Sequence, residues 1–135
     1  MDAVPNECEG KSIINKGGDN IGTDLEIYIR MFNLLKRIYP ALVNYPKAEK
    51  YALAQDTKIC IFQYLNYVSR ANNVKSKRMV YAQEAQGYLE DLKAKIMLAY
   101  YLKYIGRGFY KDISLELTEI SKMLVGYIRS INKKK

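Results

Sequence analysis

The strongest constraint in this sequence is an apolar repeat at helical spacing, found in four consecutive segments. In the last segment the repeat runs through Ile113, Leu117, Ile120, Leu124, Tyr127 and Ile131. Residues spaced three or four apart lie on one face of an α-helix. No segment needs a strand to explain it, so the sequence predicts an all-α protein.

Capping residues and prolines set the limits of the first two predicted helices. Thr23 and Glu26 form a capping box that starts the first helix. Pro40 is expected to kink or end that helix, because proline removes a backbone donor. Pro46 suits the first position of the second helix, which is predicted to run to about Asn72.

The third and fourth predicted helices are separated by a glycine. Ser76 is expected to cap the third helix, and Gly106 to end it in a left-handed conformation. The fourth helix is predicted from about Phe109 to Asn132. Gly126 within it would cost about 1 kcal/mol relative to alanine, which predicts a close approach of another helix at this point.

Short connections make sequential helices antiparallel, so the predicted architecture is an up-down-up-down four-helix bundle. A chain of 135 residues is expected to form one core. The predicted organisation is a flexible lead-in over residues 1–22, the bundle over residues 23–132 and a basic tail over residues 133–135.

The second predicted helix carries two apolar stripes. One stripe contains Leu53, Thr57, Cys60, Tyr64 and Tyr67, and the other contains Ile61, Leu65 and Val68. A helix with solvent on one flank does not need both stripes, so this segment is expected to meet its own bundle on one side and another subunit or partner on the other. We therefore expect an oligomer.

The residue types disfavour catalysis and membrane insertion. Histidine is absent, which removes the usual general base near neutral pH and the commonest metal ligand. The stretch "NKGGDN" lacks the Lys-Ser/Thr of a phosphate-binding loop. Cys8 and Cys60 do not form a disulfide framework, no signal segment opens the chain, and the apolar runs are too short to cross a bilayer. We expect a cytoplasmic protein with no catalytic residue, metal, cofactor or membrane contact.

The charge of the chain is strongly basic and unevenly placed. Lysine and arginine number 22 against 14 acidic residues, for a net charge of +8, and the acidic residues are in excess before Leu25. RNA, DNA or another polyanion would relieve the repulsion within such a body. The alternative is that the basic surface only keeps the protein soluble.

Two groups of cations are predicted at opposite ends of the third helix, about 40 Å apart by helical rise. One group contains Arg70, Lys75, Lys77 and Arg78, and the other contains Lys103, Arg107 and Lys111. A long polyanion reaches both groups and a small ligand does not. The alternative for each cation is an ordinary solvated charge.

Aromatic residues accompany the second group. Tyr100, Tyr101 and Tyr104 cluster around Lys103. Tyrosines beside cations stack on unpaired bases in some proteins, but they more often line subunit contacts, and the sequence leaves both roles open.

Three stretches, "RIYPALVNYPKAEKYALAQD", "YLEDLKAKIMLAYYLKYI" and "ISKMLVGYIRSI", resemble the Avd family, the accessory variability determinant proteins of diversity-generating retroelements. The resemblance covers about residues 28–131. A looser likeness extends to the four-helix-bundle proteins of ribosomal-RNA intervening sequences. The "MLVGYIRS" ending favours the Avd family.

The resemblance implies a four-helix bundle that assembles as a ring-like homopentamer, binds nucleic acid and partners the reverse transcriptase of the element. In this interpretation the protein is not an enzyme, and it supports the copying of a template RNA into mutated cDNA. The alternative is a scaffold of the intervening-sequence type that acts through protein partners.

Residue by residue, the resemblance implies nucleic-acid contacts at three basic positions: Lys93, Lys122 and Arg129. The sequence departs from the family pattern at Met97, where an arginine is common, and at Val125 and Tyr127, which replace glycine and tryptophan. Lys95 lies about 200° from Lys93 around an ideal helix, so the two are not expected to share a surface.

Overall fold

The structure is a computed structural model that describes residues 22–133, and these residues form four long helices. They are α1 (Gly22–Val43), α2 (Leu53–Asn73), α3 (Arg78–Tyr101) and α4 (Arg107–Lys133). Contacts join α1 to α2, α2 to α3, α3 to α4 and α4 to α1. The described part of the chain contains no strand. The predicted antiparallel four-helix bundle is confirmed.

The core lies along the bundle axis and receives one stripe from each helix. The fully buried side chains include Ile27, Met31, Leu34, Ile38, Ile61, Tyr64, Leu89, Leu92, Ile96, Ile113, Leu117 and Ile120. The predicted stripe of α4 is buried as far as Tyr127, and Ile131 is half-buried against the core. Burial of these stripes, rather than helix propensity, stabilises the fold.

The two apolar stripes of α2 are both buried within the single chain. Ile61, Leu65 and Val68 are all buried, because α2 packs against α1 on one flank and α3 on the other. The second stripe therefore gives no support for another subunit, and that argument for an oligomer was wrong. The exposed apolar residues of α2 are Ile59 and Phe62, each 43% exposed.

The first two helices meet at a tight connection that differs from the prediction. α1 continues through Pro40 and ends at Val43. Pro46 precedes a 3-10 turn, Lys47–Glu49, and α2 begins later than predicted, at Leu53. The Leu53 amide donates a hydrogen bond to Glu49 Oε1 at 3.2 Å, so the carboxylate satisfies an early amide of α2.

The start of α3 also differs from the prediction. Ser76 lies within a 3-10 turn, and α3 begins at Arg78 with no side-chain cap. The Arg78 guanidinium instead reaches back to the end of α2, donating to the carbonyls of Ala71 and Asn72 at 2.7 and 2.9 Å. These bonds satisfy carbonyls that a helix end leaves unpaired.

The end of α3 is formed by a lysine rather than by the predicted glycine. Lys103 adopts φ 67°, and the Tyr104 amide donates to the Ala99 carbonyl at 2.8 Å. This 6→1 bond defines a Schellman motif, in which the left-handed residue closes the helix. Gly106 therefore follows the stop instead of forming it.

Three further predictions concern glycine and the chain ends. A Cβ added at Gly126 would have no neighbour within 4 Å, so the predicted close helix approach is absent. The helix begins at Gly22, but the Thr23 side chain lies outside the described residues, as does the lead-in over residues 1–21. Lys133 ends α4 instead of starting a tail, and residues 134–135 lie outside the described range.

Candidate nucleic-acid interface

The helix α4 divides its polar surface into a basic flank and an acidic flank. The basic flank faces α3 and carries Arg107, Lys111, Lys122 and Arg129. The acidic flank faces α1 and carries Asp112, Glu116 and Glu119. Spacings of four, eleven and seven residues keep the four cations on one side of the helix, because three turns of an α-helix take about eleven residues.

A groove between α3 and α4 exposes the basic flank. Its first half, near the α3–α4 connection, has a volume of about 370 Å³ and is lined by Tyr100, Arg107, Tyr110, Lys111, Ser114, Leu115 and Thr118. Its second half has a volume of about 330 Å³ and is lined by Lys93, Thr118, Ser121, Lys122, Val125 and Arg129. Thr118 belongs to both halves, so they form one continuous surface, the α3–α4 groove.

Most of the positive charge in the α3–α4 groove is uncompensated. The Lys93 ammonium lies 3.2 Å from Glu90 Oε2, and the Lys122 ammonium lies 3.8 Å from Glu119 Oε2. Both are pairs between neighbouring turns of one helix, which are weak in solvent. Arg107, Lys111 and Arg129 form no ion pair with any residue between 22 and 133.

The neighbouring groove between α1 and α4 has a different electrostatic character. Its volume is about 400 Å³. Arg30 Nε lies 3.1 Å from Glu116 Oε2, and Arg37 Nη2 lies 3.6 Å from Asp112 Oδ2. Here arginines of α1 compensate the carboxylates of α4. The α1–α4 groove therefore offers a phosphate little uncompensated charge.

The structure brings together five of the ten predicted nucleic-acid residues. Lys93, Lys122 and Arg129 line the second half of the α3–α4 groove, and Arg107 and Lys111 line the first half. Arg107 and Arg129 are about 33 Å apart by helical rise, so the groove is long enough for an extended polyanion. Lys95, in contrast, lies on the α2 side, where its charge acts on Cys60.

The other five predicted residues lie at the two ends of the bundle. Arg70, Lys75, Lys77 and Arg78 are at the end where α2 and α4 finish, and Lys103 is at the opposite end. The Arg70 guanidinium lies 4.9 Å from the centre of the Tyr67 ring. Arg78 is half-buried and bonds to backbone carbonyls, so its guanidinium is less available to a phosphate than the exposed cations.

The end of the groove near Lys103 is held by a contact between two connections. The Tyr104 hydroxyl donates to Glu49 Oε2 at 2.9 Å, and the rings of Tyr104 and Tyr45 pack at 5.2 Å. The hydrogen bond to Glu49 raises the pKa of Tyr104, and burial raises the pKa of Tyr45 to about 12. Both tyrosines therefore stay neutral at physiological pH, and their contacts join the α1–α2 connection to the α3–α4 connection.

Metal-ligating side chains are not clustered in the described part of the chain. Between residues 22 and 133, no group of three or more Cys, Asp or Glu side chains is placed to hold a metal ion. None of the helices in this range combines the length and hydrophobicity needed to cross a bilayer. Cys60 is buried, and burial raises the pKa of its thiol, which favours the unreactive protonated form.

Sequence reasoning missed two features of the groove. The first is that all four cations of the basic flank of α4 lie on one stripe, which a helical projection of residues 107–129 would have shown. The second is the set of hydroxyl groups that line the groove beside the cations: Ser114, Thr118 and Ser121.

Comparison with known proteins supports the resemblance found in the sequence. The sequence model of the bAvd-like family matches residues 27–131, which is most of the chain and nearly all of the bundle. The chain belongs to the bAvd-like family. The match includes both halves of the α3–α4 groove and all ten candidate nucleic-acid residues of this bAvd-like protein.

A solved structure has the same fold as this bAvd-like chain. It is a protein of unknown function from the S23 ribosomal protein family of Bacteroides thetaiotaomicron. The superposition has a TM-score of 0.70 at 18% sequence identity and covers 79% of this chain and 98% of the other. At this identity the likeness establishes the bundle fold alone. No curated protein sequence matches the chain.

Proposed function

We propose that this protein is a non-catalytic accessory subunit of a diversity-generating retroelement, which binds template RNA or cDNA and the reverse transcriptase of the element in the cytoplasm. The observation that carries the proposal is the uncompensated basic flank of α4 in a protein of the bAvd-like family. The reverse transcriptase performs the chemistry. The bundle supplies a surface on which the nucleic acid is held.

The shape and charge of the α3–α4 groove suit a phosphate backbone. The groove is open, long and basic, and it lacks the enclosed apolar walls that small-molecule sites use. Each lysine or arginine that meets a phosphate releases condensed counterions, so several weak contacts combine into useful affinity. Hydroxyl groups such as that of Ser121, which lines the second half of the groove, add hydrogen-bond donors for phosphate oxygens.

Assembly into a ring-like homopentamer is the second part of the proposal. Two separate apolar surfaces are exposed on the single chain. One includes Phe32, Tyr39, Val43, Ile59 and Phe62 on α1 and α2, and the other includes Met97, Leu98, Tyr101 and Leu102 at the end of α3. A ring needs two different surfaces on each subunit, because its interfaces are heterologous. Repetition of the groove around a ring would increase avidity for a long polyanion.

A scaffold that works only through protein partners is the second candidate function. The same exposed apolar surfaces favour it, since such patches on a small domain are typical of protein contacts. In this alternative the basic flank of α4 docks an acidic protein instead of a nucleic acid. The two candidates differ in whether purified protein binds RNA or DNA directly.

The decisive experiment compares two triple variants in which three cations are replaced by glutamate. Lys93→Glu, Lys122→Glu and Arg129→Glu together reverse the charge of the second half of the groove. Lys36→Glu, Lys47→Glu and Lys50→Glu together make the same change in net charge at exposed positions on α1 and the α1–α2 connection. Binding to structured RNA and to duplex DNA is measured between about 50 and 200 mM salt.

We expect the groove variant to lose at least about 100-fold in affinity and the control variant about tenfold or less, with both variants folded and assembled as the native protein is. This magnitude follows from the loss of three phosphate contacts and the new like charges beside the others. If the native protein binds neither polyanion at low salt, the accessory nucleic-acid function is wrong and the scaffold function replaces it.

A further inference from the structure

The helix α3 carries apolar side chains on its solvent side as well as on its core side. Four large apolar residues of α3 are exposed: Val80, Met97, Leu98 and Tyr101. The longer helix α4 exposes one, Leu115, among its described residues. Within the chain α3 packs against α2 and α4, so its outer side faces solvent. Exposed apolar side chains along one side of a helix are typical of a surface that another protein covers.

Five exposed residues share the outer side of α3, and together they are called the α3 face: Val80, Glu84, Gly87, Asp91 and Leu98. Spacings of four, three, four and seven residues keep them on one side of the helix. Leu98 belongs to the apolar surface at the end of α3, and the α3 face extends that surface along the helix. Glu84 and Asp91 lie about 180° and 200° from Lys93 around α3. The α3 face is therefore turned away from the α3–α4 groove, which Lys93 lines.

The centre of the α3 face is acidic and low. Neither Glu84 nor Asp91 forms an ion pair with any residue in the described range. Gly87 lies between them, and a Cβ added there would meet nothing within 4 Å. A glycine inside a helix costs about 1 kcal/mol relative to alanine, and no contact in the described part of the chain requires this one. The α3 face thus combines apolar ends with two uncompensated carboxylates and a missing side chain at its centre.

The apolar surface formed by α1 and α2 carries a cation. This surface, called the α1–α2 face, contains five exposed side chains: Phe32, Tyr39, Val43, Ile59 and Phe62. The Lys58 ammonium lies 4.6 Å from the centre of the Tyr39 ring, which places a positive charge within the face. Lys58 forms no ion pair within residues 22–133. Its charge is therefore available to carboxylates of another chain.

Charge decides which of these faces suits the other. Two α3 faces would bring the carboxylates of Glu84 and Asp91 toward the same carboxylates of a second copy, and two α1–α2 faces would bring Lys58 toward a second Lys58. Like charges across a contact are unfavourable. Pairing the α3 face with the α1–α2 face brings opposite charges together instead. It also sets the bulky aromatic side chains of one face against a surface that Gly87 keeps low.

We propose that the α3 face of one subunit binds the α1–α2 face of the next, with Lys58 opposite Glu84 and Asp91. The inference rests on the proposed ring-like assembly, and it names the two surfaces that join and the residues that set their polarity. Such a contact is heterologous, so every subunit uses both faces once the ring closes. Because Glu84 and Asp91 lie on the side of α3 opposite Lys93, the contact leaves the α3–α4 groove of each subunit open.

The first experiment reverses the charges of the contact in the full-length protein and measures molar mass by light scattering over a concentration series. Lys58→Glu alters the α1–α2 face, and Glu84→Lys with Asp91→Lys alters the α3 face. Each alteration alone should raise the subunit dissociation constant at least about tenfold, because like charges then meet. The variant with all three substitutions should return to within about threefold of the native dissociation constant, since opposite charges meet again.

The second experiment tests the close approach at Gly87 against a matched control on α4. Gly87→Leu and Gly126→Leu place the same side chain at an exposed glycine inside a helix, where a Cβ meets nothing within 4 Å. Gly87→Leu should raise the dissociation constant at least about tenfold, because the larger side chain overfills the contact. Gly126→Leu should assemble as the native protein does. Native helix content by circular dichroism identifies each variant as folded.

Native assembly of the Glu84→Lys, Asp91→Lys variant would overturn the inference while leaving the ring-like assembly intact, since another surface would then join the subunits. Failure of the triple variant to regain assembly would also overturn it, because the charges would not face each other. Equal dissociation of Gly87→Leu and Gly126→Leu would contradict the close approach at Gly87. A native protein that stays monomeric at every concentration would overturn the proposed ring itself.

Discussion

The two grooves that flank α4 share that helix, but they differ in charge balance. In the α1–α4 groove, Arg30 and Arg37 are paired with Glu116 and Asp112. In the α3–α4 groove, the cations of α4 face α3, which supplies the cation Lys93 instead of carboxylates that would neutralise them. The net charge of the chain therefore does not by itself locate a binding face. The neighbouring helix decides which charges remain available.

The ion pairs of the α1–α4 groove also determine where positive charge remains uncompensated on α4. Most of the acidic residues of α4 are used in holding α1, where they compensate arginines at the bundle surface. The unpaired cations Arg107, Lys111 and Arg129 then lie together on the side of α4 that faces α3. A concentrated charge creates a stronger local field than an even distribution of the same charge, which favours capture of a polyanion.

The largest expected effect comes from reversing two charges in each groove. Arg107→Glu with Lys111→Glu should lower the affinity for duplex DNA by at least about tenfold near 100 mM salt and reduce the slope of log affinity against log salt by about 2. Stability should change by less than about 0.5 kcal/mol, because both side chains are exposed and unpaired. Salt titrations and denaturant unfolding measure the two effects.

The matched double variant in the α1–α4 groove should lose stability but keep most of its affinity for nucleic acid. Arg30→Glu with Arg37→Glu places like charges beside Glu116 and Asp112, so the free energy of unfolding should fall by about 1–3 kcal/mol. The affinity loss should be about threefold or less, from the change in net charge alone. If this variant weakens duplex binding as much as the α3–α4 variant does, the two grooves are equivalent and the assignment of the interface to α3–α4 is incorrect.

A smaller change in stability is expected from a substitution on the ridge of α4 that separates the two grooves. Gly126 is exposed, and a Cβ there would touch nothing within the chain. Gly126→Ala should raise the free energy of unfolding by about 0.5–1 kcal/mol, because alanine loses less backbone entropy in a helix. Denaturant unfolding measures the gain. A loss of stability together with a change in elution volume would instead place Gly126 in a subunit contact.

The smallest expected effects come from replacing one acidic residue in each groove by glutamine. Glu116→Gln removes the partner of Arg30 and should cost less than about 1 kcal/mol of stability, since the pair is partly exposed, with no effect on the salt dependence of nucleic-acid binding. Glu90→Gln releases Lys93 in the α3–α4 groove and should raise affinity for duplex DNA about twofold. Equal effects of both variants on affinity would contradict the difference between the grooves.

Much of the fold was predictable because its signals are local. The apolar spacing of Ile113, Leu117, Ile120 and Leu124 predicted a buried helical face, and all four residues are buried. The predicted ends of the helices were less accurate where the backbone conformation at a position differs from the one that its residue type prefers. At the end of α3, Lys103 takes the left-handed position although Gly106 is the residue that favours it.

The candidate site was predicted in part. Lys93, Lys122 and Arg129 were selected by their match to a family pattern, and the structure places all three along one groove. The predicted groups at the ends of α3 mixed exposed cations with Arg78, whose guanidinium satisfies the end of α2. No local pattern distinguishes a cation that binds backbone carbonyls from one that is free, because that difference depends on which helix end lies within reach.

The sequence by itself determined the number of helices, their antiparallel order and the division of α4 into an acidic and a basic flank, since each depends on spacing along one chain. Only the tertiary structure decided which flank meets the arginines of α1, that both stripes of α2 are buried within one subunit, and that the aromatic rings lie in one half of the groove. The physical reason is that helical periodicity defines the faces of a helix, whereas the rotation of that helix against its neighbours determines which face is compensated, buried or left exposed.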